Sequence, residues 1–120
     1  MNKELSLLLL SPDRSWSHFV EKNISLTSLY LSDLCDNLPE GDFSIVLLDA
    51  SLTSQVVQVV KHILQRYRRS KIIVVAADPS WKETRAVLLA GAHDYLSKSY
   101  FKDDLLNSIQ RIMDDAFQSE

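Results

Sequence analysis

The sequence predicts an α/β domain with a doubly wound, five-stranded parallel sheet in the order 2-1-3-4-5 and helices on both faces. Three observations predict it. Apolar runs alternate with amphipathic patterns along the whole chain, and strict β-α alternation with short connections gives right-handed parallel crossovers. The runs are continuously apolar rather than alternating, as strands covered on both faces require. With 120 residues, the chain can build one such core and is too short for two, so residues 1–120 read as a single domain.

Strand one is Leu5–Leu10, and Trp16, Phe19 and Val20 then fall at i, i+3 and i+4 of a short helix. Leu26–Leu31 forms a second strand, and Ser32–Leu38 has room for a stub of helix before the turn Pro39-Glu40-Gly41-Asp42. Phe43–Leu48 is the third strand. Val56, Val57, Val59, Val60, Ile63, Leu64 and Tyr67 mark one broad face of the next helix, and Ile72–Ala77 is the fourth strand. Beyond it, either Asp78 caps a helix with Pro79 in first position, or Ser80 and Glu83 form a capping box. Gly91 suits the end of that helix. His93–Ser97 is a short fifth strand, and Leu105, Leu106, Ile109, Ile112, Met113 and Phe117 mark the last helix. Five strands and five helices in this succession match the flavodoxin-like arrangement.

Composition excludes several classes. Hydrophobic residues at 46% and charged residues at 24% are ordinary for a soluble globular protein. A net charge of −3 argues against direct nucleic-acid binding, which usually needs a basic stripe. Lys61, Arg66, Arg68, Arg69 and Lys71 do cluster, but at the end of a predicted helix, where cations complement the macrodipole. Cys35 is the only cysteine, so an internal disulfide or a cysteine-based zinc site is impossible, and a reduced, cytoplasmic setting is expected. The run Leu5–Leu10 is too short to span a membrane, and the sequon Asn23-Ile24-Ser25 reads as chance.

With Gly41 and Gly91 as the only glycines, neither a GxGxxG turn nor a Walker loop can form. His18, His62 and His93 sit on different elements without ligand spacing. Ser11 and Ser97 lack the His and Asp of a nucleophile elbow, so no enzyme is expected. What remains is Asp49, closing the third strand, and Lys98, ending the fifth. Both emerge at the carboxyl edge of the sheet, in the crevice where open α/β sheets bind ligands. An acid and a base there are suited to handling a phosphoryl group.

Gly91-Ala92-His93-Asp94-Tyr95-Leu96-Ser97-Lys98 resembles the GA-x-DYL-x-K segment of response-regulator receiver domains, and Ile45-Val46-Leu47-Leu48-Asp49 resembles their phosphoacceptor strand. The intervals between strands agree with that family from about Leu5 to Phe117. The resemblance implies that Asp49 is the phosphoacceptor, Lys98 the phosphoryl-binding lysine and Tyr95 the switch aromatic. It also implies a face made by the fourth helix, fifth strand and fifth helix that meets partners or a second copy; here that region holds Trp81, Tyr95, Tyr100 and Phe101, and aromatics are favoured interface anchors.

The departures bear on activity. Where receivers carry an acidic pair after strand one, this chain has Ser11 and Pro12, with Asp13 one place beyond. The strand-four hydroxyl of the family is replaced by Ala76, and the proline after the lysine by Ser99. Asp13 and Asp49 are then the only candidate Mg²⁺ carboxylates, and a carboxylate about 5 Å from a divalent ion supplies roughly 6–7 kcal/mol of gross attraction at an effective dielectric near 20. Phosphoryl transfer depends largely on such charge neutralisation and positioning, so weak Mg²⁺ binding and little or no phosphorylation of Asp49 are expected. The sequence therefore reads as an atypical receiver-like domain acting through protein contacts. Its expected partners are a histidine kinase or a downstream output protein, or a second copy. Two alternatives stand beside it: a working receiver using Asp13 and Asp49 with Mg²⁺, and a small-molecule sensor using the vacated crevice.

Overall fold

The computed structural model describes residues 6–23, 28–32, 38–98 and 105–112. Its elements are β1 (Ser6–Leu10), α1 (Arg14–Asn23), β2 (Ser28–Ser32), β3 (Ile45–Asp49), a 3-10 turn (Ala50–Leu52), α2 (Val56–Arg66), β4 (Lys71–Ala76), α3 (Trp81–Ala90) and β5 (Asp94–Ser97). Residues 105–112 form a further helix, α4. Every pairing is parallel and the strand order is β2-β1-β3-β4-β5, as predicted. Strand ends depart from expectation by at most two residues, and β3 takes in Asp49 itself. Of the expected stub over Ser32–Leu38, Ser32 belongs to β2, and residues 33–37, Cys35 among them, lie outside the described residues. Met113 and Phe117 of the last helix lie outside them as well.

Successive side chains of each run point to opposite faces. Leu7, Leu9, Ile45, Leu47, Ile73 and Val75 pack against Trp16 and Val20 of α1 and Leu105, Ile109 and Ile112 of α4. Leu8, Leu10, Val46, Leu48, Ile72 and Val74 pack on the other face, against Val56, Val60 and Ile63 of α2 and Val87 of α3. All eight apolar side chains of Leu7–Leu10 and Ile45–Leu48 are fully buried, which is why these runs show no alternation. Each contributes about 1.5–3 kcal/mol. The carboxyl edge of β1 and β3 is thus held by a core on both sides.

The helix ends show which local signals prevailed. Ser80 caps α3, its Oγ accepting from the Glu83 N–H at 3.1 Å, so Asp78 and Pro79 stand outside the helix. Only half of the capping box forms, because the Glu83 carboxylate turns instead to the Tyr95 hydroxyl. Gly91 ends α3 at φ 119°, and a Cβ there would lie 2.3 Å from Leu64 Cδ1.

Candidate functional site

Parallel register brings the site together. Leu10 lies opposite Leu48, so the residues that follow, Ser11 and Asp49, are neighbours at the carboxyl edge. Ala76 lies opposite Ser97, and the next residue, Lys98, donates its N–H to the Ala76 carbonyl at 2.7 Å. Asp49 is fully buried, and a buried carboxylate is costly unless it is paired and hydrogen-bonded. Here it is both. Oδ2 accepts from Ser11 Oγ at 2.6 Å and from Lys98 Nζ at 2.7 Å. Oδ1 accepts from the Ser51 N–H at 3.0 Å and Ser51 Oγ at 2.7 Å. A carboxylate offers about four lone-pair positions, and each oxygen already accepts twice.

Asp13 completes the cluster. Its Oδ1 accepts from the Trp16 N–H at 3.1 Å, capping α1, while Oδ2 lies 2.8 Å from Lys98 Nζ. The backbone slip past Pro12 is fixed by Ser11 Oγ, which accepts from the Asp13 N–H at 3.1 Å. Lys98 Nζ therefore bridges two carboxylates, and it also stands 5.2 Å from the centre of the buried Trp16 ring, a cation–π distance.

The charges reinforce one another. Burial pushes the Asp49 carboxyl up, but hydrogen bonds from Lys98, Ser11 and Ser51 outweigh it and hold the group below its usual range. The Lys98 hydrogen bond, helped by the Trp16 N–H, does the same for Asp13. Burial lowers the Lys98 ammonium, and the two carboxylates outweigh that and raise it. All three groups stay charged through neutral pH, giving a compact cluster of two anions around one cation.

This geometry bears on the metal. A divalent ion shared by Asp13 and Asp49 would take the place that the Lys98 ammonium holds, 2.8 and 2.7 Å from them. Among the described residues, no group of three or more His, Cys, Asp and Glu could hold a metal ion. The residues present do not fit Mg²⁺ while Lys98 keeps this position. A groove of about 470 Å³ opens between the starts of α2 and α3, lined by Ser54, Gln58, Lys82 and Glu83 among others, and by none of Asp13, Asp49 and Lys98.

The remaining expected residues divide. Ala76 is buried against the same core as Tyr95. Tyr95 itself is only 8% exposed, with its hydroxyl donating to Glu83. In this arrangement it does not stand at the surface as the expected partner face would have it. Its phenol is pushed far up, first by burial and then by the Glu83 carboxylate. Trp81 is 71% exposed and does not cover the core. Tyr100, Phe101 and Ser99 lie outside the described residues.

Sequence reasoning missed Ser51 and Trp16. The Asp-Ala-Ser succession at 49–51 was a usable signal, since an Asp side chain often accepts from the backbone two residues on. Trp16 reads as a plain core residue, and nothing local shows that its ring also backs Lys98.

No family model matches the chain, and no curated protein sequence matches it significantly. Solved structures do. The signal receiver domain of an HD domain-containing protein from Pseudomonas fluorescens Pf-5 superimposes with a TM-score of 0.83 at 18% identity, covering 98% of this chain and all of the other. A response regulator from Thermotoga maritima matches with a TM-score of 0.79 at 16% identity, over 93% of this chain and 99% of its own. The Mn²⁺-bound form of the response regulator Rcp1 matches with a TM-score of 0.68 at 20% identity, over 90% and 91%. At such identities these likenesses establish the fold, which is that of response-regulator receiver domains. Among the described residues, no helix is long and apolar enough to cross a membrane.

Proposed function

We propose that this chain is a receiver-like domain of two-component signalling in which Asp49 accepts a phosphoryl group poorly or not at all, and that it works through protein contacts rather than as an enzyme. One observation carries the reading. Both Asp49 oxygens are engaged by Ser11, Ser51 and Lys98, and the Lys98 ammonium occupies the space between Asp49 and Asp13. Transfer to Asp49 would require an oxygen to leave these donors and the developing charge to be neutralised without an added cation, and phosphoryl transfer rests on that neutralisation. A histidine kinase or a downstream output protein, met in the cytoplasm, suits this reading, as does a second copy of the chain. Among the described residues of the expected partner face, the exposed Trp81 is the one placed for it.

Intact-mass measurement after incubation with acetyl phosphate and Mg²⁺, with Asp49→Asn as control, tests the proposal. The expected result is little or no added phosphate. Stoichiometric, Mg²⁺-dependent labelling that disappears in Asp49→Asn would overturn it. The working-receiver alternative draws support from Asp13, which reaches the cluster despite Pro12. Tight, micromolar Mg²⁺ binding would revive it, whereas calorimetric titration is expected to show millimolar binding or weaker.

A further inference from the structure

The charge of this chain is unevenly divided. Residues 50–77 contain five of its 13 Lys and Arg and none of its 16 Asp and Glu, so this stretch carries +5 and the rest of the chain −8. The cations are Lys61, Arg66, Arg68, Arg69 and Lys71.

The macrodipole of α2 does not account for them. Only Arg66 stands in its last turn, with Lys61 at mid-helix and Lys71 on β4. A helix end carries roughly half an elementary negative charge, felt within one turn, enough for one cation and not for five. Nor does ion pairing account for them: among the described residues, the salt bridges involve only Lys98 and Arg111. Lys61, Arg66, Arg68 and Arg69 are all exposed. At about 1.5 Å per helical residue, positions 61–69 fall within roughly 15 Å of one another along the chain, a span that one short extended segment can reach.

We propose that this end of α2, with the turn leading into β4, is a docking surface for an acidic segment of a protein partner. Two features favour a protein over a nucleic acid. The patch is short, and a duplex, charged every 1.7 Å or so along its axis, would run on over a molecule that is net negative elsewhere. A short run of Glu and Asp matches the patch without that repulsion. The inference is independent of what happens at Asp49.

Fluorescence anisotropy with the full chain tests it, using a short labelled Glu-rich peptide, a matched Gln-rich peptide and a short DNA duplex at low and physiological salt. The Glu-rich peptide should bind, the Gln-rich peptide should not, and salt should weaken binding. Combining Lys61→Glu, Arg68→Glu and Arg69→Glu should cost roughly tenfold in affinity or more, from several exposed charge contacts acting together. Lys22→Glu with Lys82→Glu, two exposed cations elsewhere, should leave it within about twofold. Circular dichroism checks folding, and Arg68→Gln with Arg69→Gln, a milder pair, should still weaken binding about threefold. Equal binding of the two peptides, or an unaffected triple variant, overturns the proposal. Tighter binding of the duplex than of the Glu-rich peptide overturns it in favour of a nucleic-acid surface.

Discussion

Lys98 concentrates the energetics of the site in one side chain. Removing it as Lys98→Met leaves Asp49 buried without its cation and Asp13 beside it, and breaking a buried pair in this way costs about 3–5 kcal/mol. Asp49→Asn leaves the Lys98–Asp13 pair and the Ser51 donors in place, so it should cost at least about 1 kcal/mol less. Urea unfolding of both variants checks the order, and an Asn variant less stable than the Met variant would mean that Lys98 is not the keystone. The same residue decides the response to metal. Mg²⁺ at about 1 mM should raise the parent's unfolding midpoint very little, since stabilisation grows as RT ln(1 + [L]/Kd) and reaches only about 0.4 kcal/mol when the concentration equals a millimolar Kd. Asp49 and Lys98 were legible in the sequence because each ends an apolar run whose direction a parallel sheet fixes. Ser11 was visible only as a missing acid. Its role as a donor to Asp49 depends on the register of two strands, which no single run reveals.

At the scale of elements, α3 shows what local pattern could and could not tell. Two caps were available, and Ser80 prevailed because its hydroxyl reaches the Glu83 N–H. Ser80→Ala should cost about 1 kcal/mol. Gly91→Ala should cost more, about 2–4 kcal/mol, because it combines a left-handed backbone angle with a contact that Leu64 must relieve. Thermal or urea unfolding distinguishes them, and a Gly91→Ala change costing no more than Ser80→Ala would remove the packing argument. The other end of the capping box was not legible. In the capping box that the sequence allowed, Glu83 would reach back to Ser80, but a buried phenol across the helix–sheet boundary needs an acceptor, and that demand appears only once β5 is placed beside β4. The exposure of Trp81 has the same origin: the periodic face of α3 is short, and Val87 alone of its residues is fully covered. Trp81→Ala should therefore leave stability within about 0.5 kcal/mol while weakening any contact made through this face.

The whole molecule responds to pH through groups at both ends of its sheet. At the carboxyl edge, Asp13 and Asp49 are held below their usual 3.8, so their contribution is complete above that value and is lost as pH falls through the lower folded values. Lys98 is raised above 10.5, so its contribution is complete below that and is lost as pH rises past it. At the amino edge, His93 Nδ1 accepts the Ile72 N–H at 3.0 Å, and the His93 N–H donates to the Ile72 carbonyl at 2.7 Å. This pairing joins the start of β5 to β4, and it requires an unprotonated Nδ1. His93 stays exposed as a residue, but partial desolvation of the ring at this pairing, and then the charge of Lys71, hold the imidazole below its usual 6.5. Between the folded and unfolded values the unfolded chain binds more protons, so stability is complete above about 6.5 and falls as pH drops through the folded value. Acid should therefore weaken the fold in two stages, the first set by His93 and the second, below 3.8, by the carboxylates. The variant His93→Asn keeps an acceptor near the Nδ1 position and cannot titrate there. Urea unfolding at pH 7 and pH 5 should show a smaller loss for His93→Asn than for the parent. An equal loss in both would show that the first stage does not arise at this pairing.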